Sequence, residues 1–122
     1  MKIYDSSAFF EAASSKTLDA ESFILDLTFY EVGNVVMKHA SLLKDISKED
    51  AESFVTILAN WNKVLFIQQD DLKEIFSIAF ATRLTFYDSA YVYFAKKYGA
   101  ILETQDKKLS ESAGKFCKVK LI

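Results

Sequence analysis

Five short apolar runs alternate with four longer stretches in which apolar residues recur every third or fourth position, and that alternation leaves few architectures open. The short runs cover residues 2–4, 23–26, 64–67, 101–104 and 117–121. Their length and their apolar, partly β-branched and aromatic content suit strands. Between them, Phe29, Val32, Val36, Ala40 and Leu43 keep helical spacing, and so do Ala51, Phe54, Leu58 and Trp61. Leu72, Ile75, Phe76, Ala79 and Phe80 form a third such stretch, and Tyr87, Tyr91, Phe94, Ala95 and Tyr98 a fourth. Strands that alternate with helices predict an α/β fold with a parallel sheet covered on both faces. The polar SKED at Ser47 marks a helix start, and Gly99 after Tyr98 marks a helix stop. No linker interrupts the pattern, so residues 1–122 are read as one domain.

Composition narrows the functional classes. With 51% hydrophobic residues, little glycine and no proline, the chain suits a globular domain with a sizeable core rather than a disordered one. A net charge of -2 predicts no whole-body attraction to nucleic acid, so any such binding would need a local patch. A lone cysteine, Cys117, cannot form an internal disulfide and fits a reducing compartment. The start, MKIYDSSAFF, lacks the basic-then-apolar layout of a signal peptide. No uncharged apolar run approaches the roughly 18 residues that a bilayer span needs. Together these features predict a cytoplasmic protein with no membrane partner.

The chain also says nearly the same thing twice, LTFYEVGNV from Leu27 and LTFYDSAYV from Leu84. The similarity fades within a few residues, so it is poor evidence of duplication. Thr28 followed by Glu31, and Thr85 followed by Asp88, each have the form of a capping box, as does Ser47 with Asp50. An acid in the first turn of a helix gains roughly 0.3–1 kcal/mol from the dipole and free amides. Taken singly, Glu31 and Asp88 need no further explanation. Two more acids change the weighing: Asp5 directly follows the first strand, and Asp106 lies just beyond the fourth, in ILETQDKKL. Open α/β sheets bind ligands outside the carboxyl ends of their strands. Carboxylates gathered there repel, by roughly 4 kcal/mol for two charges 4 Å apart at an effective dielectric of 20. A divalent cation turns that cost into a ligand set. Carboxylates without His or Cys favour Mg²⁺ or Mn²⁺ over zinc. The single histidine, His39, lies in a helical stretch, which leaves a Ser-His-Asp or Cys-His mechanism almost nothing to use.

At these residues the sequence resembles the PIN-domain ribonucleases of the VapC type, the toxin half of VapBC toxin–antitoxin pairs. The matching stretches are IYDSSAFF, YEVGNVVMK from Tyr30, FYDSAYVYFAKKYGAILETQDKKL from Phe86, and the short terminal strand. The resemblance implies a three-layer α/β/α domain with a five-stranded parallel sheet in the order 3-2-1-4-5. It implies that Asp5, Glu31, Asp88 and Asp106 are the catalytic, metal-binding acids, supported by the hydroxyls of Ser7 and Thr104. It further implies Mg²⁺- or Mn²⁺-dependent hydrolysis of RNA, a VapB-type antitoxin partner and a homodimer. Lys38 and Arg83 are candidate RNA contacts, each as readily a solvated charge. The segment between Phe10 and Phe23 is short where many relatives carry a longer helical excursion, which bears on RNA choice and leaves the acids untouched.

Two rival functions keep the fold. A nuclease of RNA maturation or decay would have the same site without an antitoxin, and a non-catalytic PIN-like module would have lost the acids, all of which are present here. A response-regulator or phosphatase reading needs a second aspartate near Asp5, and DSSAFF lacks one. At helical spacing, Tyr91 and Phe94 are expected in the core, with Tyr93 at the surface or an interface. Trp61 is expected to pack, and Cys117 to be an inert thiol.

Overall fold

The first strand, β1 (Lys2–Tyr4), pairs in parallel with β4 (Ile101–Thr104), which pairs in parallel with β5 (Lys118–Leu121). The computed structural model describes all residues 1–122. Six α-helices surround these strands: α1 (Ser6–Ser14), α2 (Asp26–Met37), α3 (Lys48–Ala59), α4 (Leu72–Thr82), α5 (Phe86–Tyr98) and α6 (Lys107–Ala113). A π-helical segment, Lys38–Leu43, extends α2. No helix is long and apolar enough to cross a membrane.

Side chains that alternate along the strands divide the interior in two. On β1, Ile3 enters one core with Ile75, Tyr91, Phe94, Leu102 and Leu109, while its neighbour Tyr4 enters another with Phe9, Val32, Val36 and Leu58. The period of two in a strand makes successive residues face opposite sides. One core therefore lies under α4, α5 and α6, and the other under α1, α2 and α3, giving three layers. Trp61 packs edge-on against Phe9 with ring centroids 5.2 Å apart, and its indole donates to the Ser22 carbonyl.

The expected five-stranded sheet is not continuous. The strands form a three-stranded sheet, β1–β4–β5, and a separate pair, β2 (Ile24–Leu25) with β3 (Val64–Leu65). A single parallel bridge, Ile3 to Phe23, spans the gap, carried by the Tyr4 amide on the Phe23 carbonyl and the Phe23 amide on the Lys2 carbonyl. The physical reason is length. The chain turns into α2 at Asp26, whose carboxylate accepts from the Leu27 and Ile67 amides, so β2 ends after two residues. Neither α1 nor α6 was anticipated from periodicity; each is a short helix started by a side-chain cap.

Tyr93 also departs from expectation. It is buried, and its hydroxyl donates to Asp71 Oδ1 at 2.6 Å. The Gln68 amide donates to the other Asp71 oxygen at 2.8 Å, and Lys97 Nζ stands 3.7 Å away. A polar knot thus ties the start of α4 to α5. Burial pushes the Asp71 carboxyl upward, but the Tyr93 hydroxyl, the Gln68 amide and Lys97 outweigh it and hold it below the usual carboxylate range. The same bond pushes the Tyr93 phenol up to about 12.

Candidate acidic site

Each of the four acids reaches one edge of the sheet for a separate reason. Asp5 is the first residue after β1, and its amide donates to the Glu103 carbonyl of β4, continuing the ladder one step. Asp106 lies two residues beyond β4. The two strands are parallel, so both acids leave the same edge. Helix α5 ends at Tyr98 and is stopped by Gly99, whose φ of +62° suits glycine, three residues before β4 begins. It therefore runs back against β4, and its first turn, which carries Asp88, sits at the carboxyl edge. Glu31 comes from α2, one turn after Thr28.

The local duties of these acids match the expectation for Asp88 and differ for the other three. Asp5 and Asp106 are the helix caps: Asp5 Oδ1 accepts from the Ala8 amide at 2.8 Å, and Asp106 Oδ1 from the Leu109 amide at 3.1 Å. Thr85 does cap α5, accepting from the Asp88 amide at 3.0 Å, and Asp88 lies in the first turn. Thr28, however, is not the N-cap residue, which is Leu25. Helix α2 begins at Asp26, so Thr28 is already inside it, and its hydroxyl accepts from the Leu25 amide at 3.1 Å. The two LTFY copies sit in different helical registers. Glu31 is thereby left without a helix-end duty.

Asp5 is only 4% exposed and heavily hydrogen-bonded. Ser7 Oγ donates to Oδ1 at 2.7 Å, and the Thr104 hydroxyl donates to Oδ2. Ser7 in turn accepts from the Gln105 amide at 3.0 Å, and Thr104 Oγ1 from the Asp106 amide at 3.0 Å. These bonds stitch the ends of β1 and β4 around one carboxylate. Glu31 accepts from the Tyr91 hydroxyl at 2.8 Å.

Charge couples the four. Burial raises the Asp5 carboxyl above its ordinary value; the hydroxyls of Thr104 and Ser7 and the Ala8 amide pull the other way, and the charge of Asp106 adds to the rise. Burial also raises Glu31, with further repulsion from Asp88 and Asp5 against the pull of Tyr91. Asp88 is raised by burial, then by Asp106 and Asp5. None of the four is in an ion pair with a Lys or Arg. The cation whose field reaches Asp88 is Lys108 on α6, a residue the sequence did not single out. Lys38 at the end of α2 and Arg83 after α4 are exposed, and neither is among the charges that shift the acids.

No three His, Cys, Asp or Glu groups stand close enough together to form a ready-made cation cage. The donor chemistry nevertheless fits a hard divalent ion. Every donor is oxygen, three carboxyls are held up by burial and by neighbouring acids, and the one cation that acts against this, Lys108 on Asp88, forms no ion pair. A consequence concerns Glu31. Its folded-state pKa lies above the unfolded one, so its contribution to stability is full below the unfolded value near 4.3 and is lost as pH rises through the folded value. Glu31→Gln removes that penalty while keeping an acceptor for Tyr91. In metal-free buffer at pH 7.5 its Tm is expected to exceed that of the wild type by roughly 2–5 °C, with the two curves merging near pH 4 when followed by circular dichroism.

The parallel strands covered by helices on both faces have the α/β architecture of PIN-domain structures. The chain belongs to the VapC family: it is 37% identical over 95 residues to ribonuclease VapC3 of Pyrobaculum aerophilum, an alignment spanning 75% of this chain and 70% of that protein. It is likewise 37% identical over 86 residues to exonuclease VapC9 of the same organism, spanning 70% of this chain and 62% of the relative. Among solved structures, PAE2754 from Pyrobaculum aerophilum superposes with a TM-score of 0.81 at 30% identity, covering 97% of this chain and 89% of its own. FitAB bound to the IR36 DNA fragment shares the fold at a TM-score of 0.69 and 13% identity, covering 99% of this chain and 94% of its own. No family model matches the sequence.

Proposed function

We propose that this protein is a Mg²⁺- or Mn²⁺-dependent endoribonuclease, the toxin component of a toxin–antitoxin pair. The observation that carries the reading is electrostatic. Asp5, Glu31, Asp88 and Asp106 come from four different places in the sequence to share one sheet edge, where burial and neighbouring acids raise Asp5, Glu31 and Asp88 and no Lys or Arg forms an ion pair with any of the four. Asp5, Glu31 and Asp88 would hold the ion, with Asp106 at its outer side or at a second ion. A bound divalent cation supplies Lewis acidity at the scissile phosphate and makes water a stronger nucleophile near neutral pH.

The protein's own part is to keep the oxygens in place. Ser7 and Thr104 fix both oxygens of Asp5, so its carboxylate has little freedom to swing. Asp88 is steadied by the amides and dipole of the first turn of α5. Lys108 brings positive charge beside Asp88, where it can offset a phosphate. The RNA substrate, an antitoxin that restrains the activity and a homodimer are part of the same proposal, drawn from the family.

The decisive experiment is cleavage of a pooled RNA substrate with and without Mn²⁺, by the wild type beside Asp5→Asn. Cleavage that requires both metal and Asp5 is the expected result; equal activity from the two proteins, or from neither, refutes the assignment. A companion measurement needs no substrate. Millimolar Mn²⁺ is expected to raise the Tm of the wild type by mass action, in proportion to RT ln(1 + [L]/Kd), and Asp88→Asn is expected to lose most of that rise.

A further inference from the structure

We propose that Tyr91 is a positioning residue, holding the Glu31 carboxylate at the acidic edge through a one-way hydrogen-bond relay that starts at the Leu25 amide. The proposal rests on the metal-dependent reading of the acidic site and adds residues that neither periodicity nor the family resemblance marked.

The relay has a single polarity. The Leu25 amide can only donate, and it does so to Thr28 Oγ1 at 3.1 Å. At the other end an ionised Glu31 can only accept, and it takes the Tyr91 hydroxyl proton on Oε1 at 2.8 Å. The remaining link joins Thr28 Oγ1 and the Tyr91 hydroxyl at 2.8 Å. Tyr91 has already spent its one proton on Glu31, so Thr28 must donate and Tyr91 must accept. Every hydroxyl in the chain gives one bond and takes one, and the direction leads from a backbone amide, fixed by the end of β2, to a carboxylate oxygen.

Burial argues that these hydroxyls are there for Glu31. Thr28 and Tyr91 are both 0% exposed; phenylalanine at 91 would fill the same space with no polar atom to satisfy, whereas the Thr28 hydroxyl also satisfies the Leu25 amide. A buried hydroxyl without a partner is costly, so a core that keeps two of them keeps their bonds as well. Spacing gives the arrangement its economy. Thr28 and Glu31 are one turn apart on α2, and Asp88 and Tyr91 are one turn apart on α5, so each pair shares a helix face. Helix α5 therefore presents one acid to the edge itself and, one turn deeper, steers a second acid carried by another helix.

The test compares Tyr91→Phe with Tyr93→Phe, which deletes a buried tyrosine hydroxyl from the same helix but away from the acids. Mn²⁺ is titrated into each protein and the thermal shift recorded, and RNA cleavage is measured across the same metal range. Tyr91→Phe is expected to raise the Mn²⁺ concentration at half-maximal thermal shift about tenfold, the scale on which a ligand's hydrogen-bond partner acts. Cleavage should fall most at low metal and recover as Mn²⁺ approaches saturation. In a Glu31→Ala background, which has no oxygen for Tyr91 to hold, Tyr91→Phe should move the midpoint no further. Tyr93→Phe should lower the Tm and leave the midpoint in place. If Tyr91→Phe titrates within twofold of the wild type, the hydroxyl is a core group only and the inference fails, while the metal reading stands. If the wild type itself neither responds to Mn²⁺ nor cleaves RNA, the reading and the inference fall together. Should Tyr91→Phe not fold, Thr28→Val breaks the relay one link earlier and must shift the midpoint in the same direction, by at least about twofold; an unmoved midpoint overturns the proposal.

Discussion

Asp5→Asn is expected to lower metal-dependent RNA cleavage by at least about 100-fold while leaving the fold intact. Both halves of that expectation follow from the surroundings of Asp5. Asparagine is as good a helix cap as aspartate, so it can still accept from the Ala8 amide and from Ser7. Its amide nitrogen would donate to Thr104 Oγ1, where the carboxylate accepts now. The bonds from Ala8 and Ser7 survive, the one with Thr104 is reversed so that the Thr104 proton must turn to Ser7 Oγ, 3.5 Å away, and the repulsion from Asp106 is relieved. What disappears is the charge, and one of the two oxygens that a cation could use. Circular dichroism and a melting curve within a few degrees of the wild type, beside a cleavage rate near background, is the expected pair of results. Loss of fold together with activity would instead make Asp5 a structural residue.

The largest expected loss of stability lies elsewhere, at Asp71. This carboxylate is buried and takes hydrogen bonds from the Tyr93 hydroxyl and the Gln68 amide, with Lys97 beside it. Asp71→Ala leaves two donors without a partner and a cation without its counter-charge, for a cost of about 2–4 kcal/mol, or roughly 10 °C in Tm. The pH dependence has a definite sign. The folded-state pKa of Asp71 is depressed, so its stabilisation is present above the unfolded value near 3.9 and disappears as pH falls through the folded value. Urea unfolding at pH 7 and pH 3 should show a large gap between wild type and Asp71→Ala at the higher pH and a smaller one at the lower. A gap that is the same at both would mean that packing, not charge, accounts for the loss. Asp71 stands outside the acidic edge, so cleavage measured on the folded fraction should be little changed.

Some of this molecule was legible before any coordinates. The strands at 2–4 and 101–104 fall where their apolar runs do, because the two pair with each other over the whole of the first and the chain then turns into helices capped by Asp5 and Asp106. Residues 23–26 and 64–67 were read too long, since a strand ends where its partner stops offering hydrogen bonds, and Asp26 takes the chain into α2 early. The LTFY echo shows the limit most clearly. Both copies look like capping boxes, yet only Thr85 is an N-cap residue, while Thr28 sits third in its helix; which residue starts a helix depends on where the preceding segment is held, and Leu25 is held by β3. Glu31 consequently lost a local explanation that the sequence supplied, while Asp5 and Asp106 acquired one. Tyr93 was expected outside because its helical position looked peripheral, but α4 covers it and Asp71 receives its hydroxyl.

The amino-acid order alone determined the α/β class and the family and singled out the four acids as candidates, because periodicity, the ends of short apolar runs and local motifs are properties of neighbours in the chain. Tertiary structure alone decided that these acids lie within one another's field, that the sheet is divided between β1 and β2, and that Tyr91 reaches back 60 residues to Glu31. Electrostatic coupling and hydrogen bonding depend on distance in space, and that distance is fixed only when both cores close around the sheet.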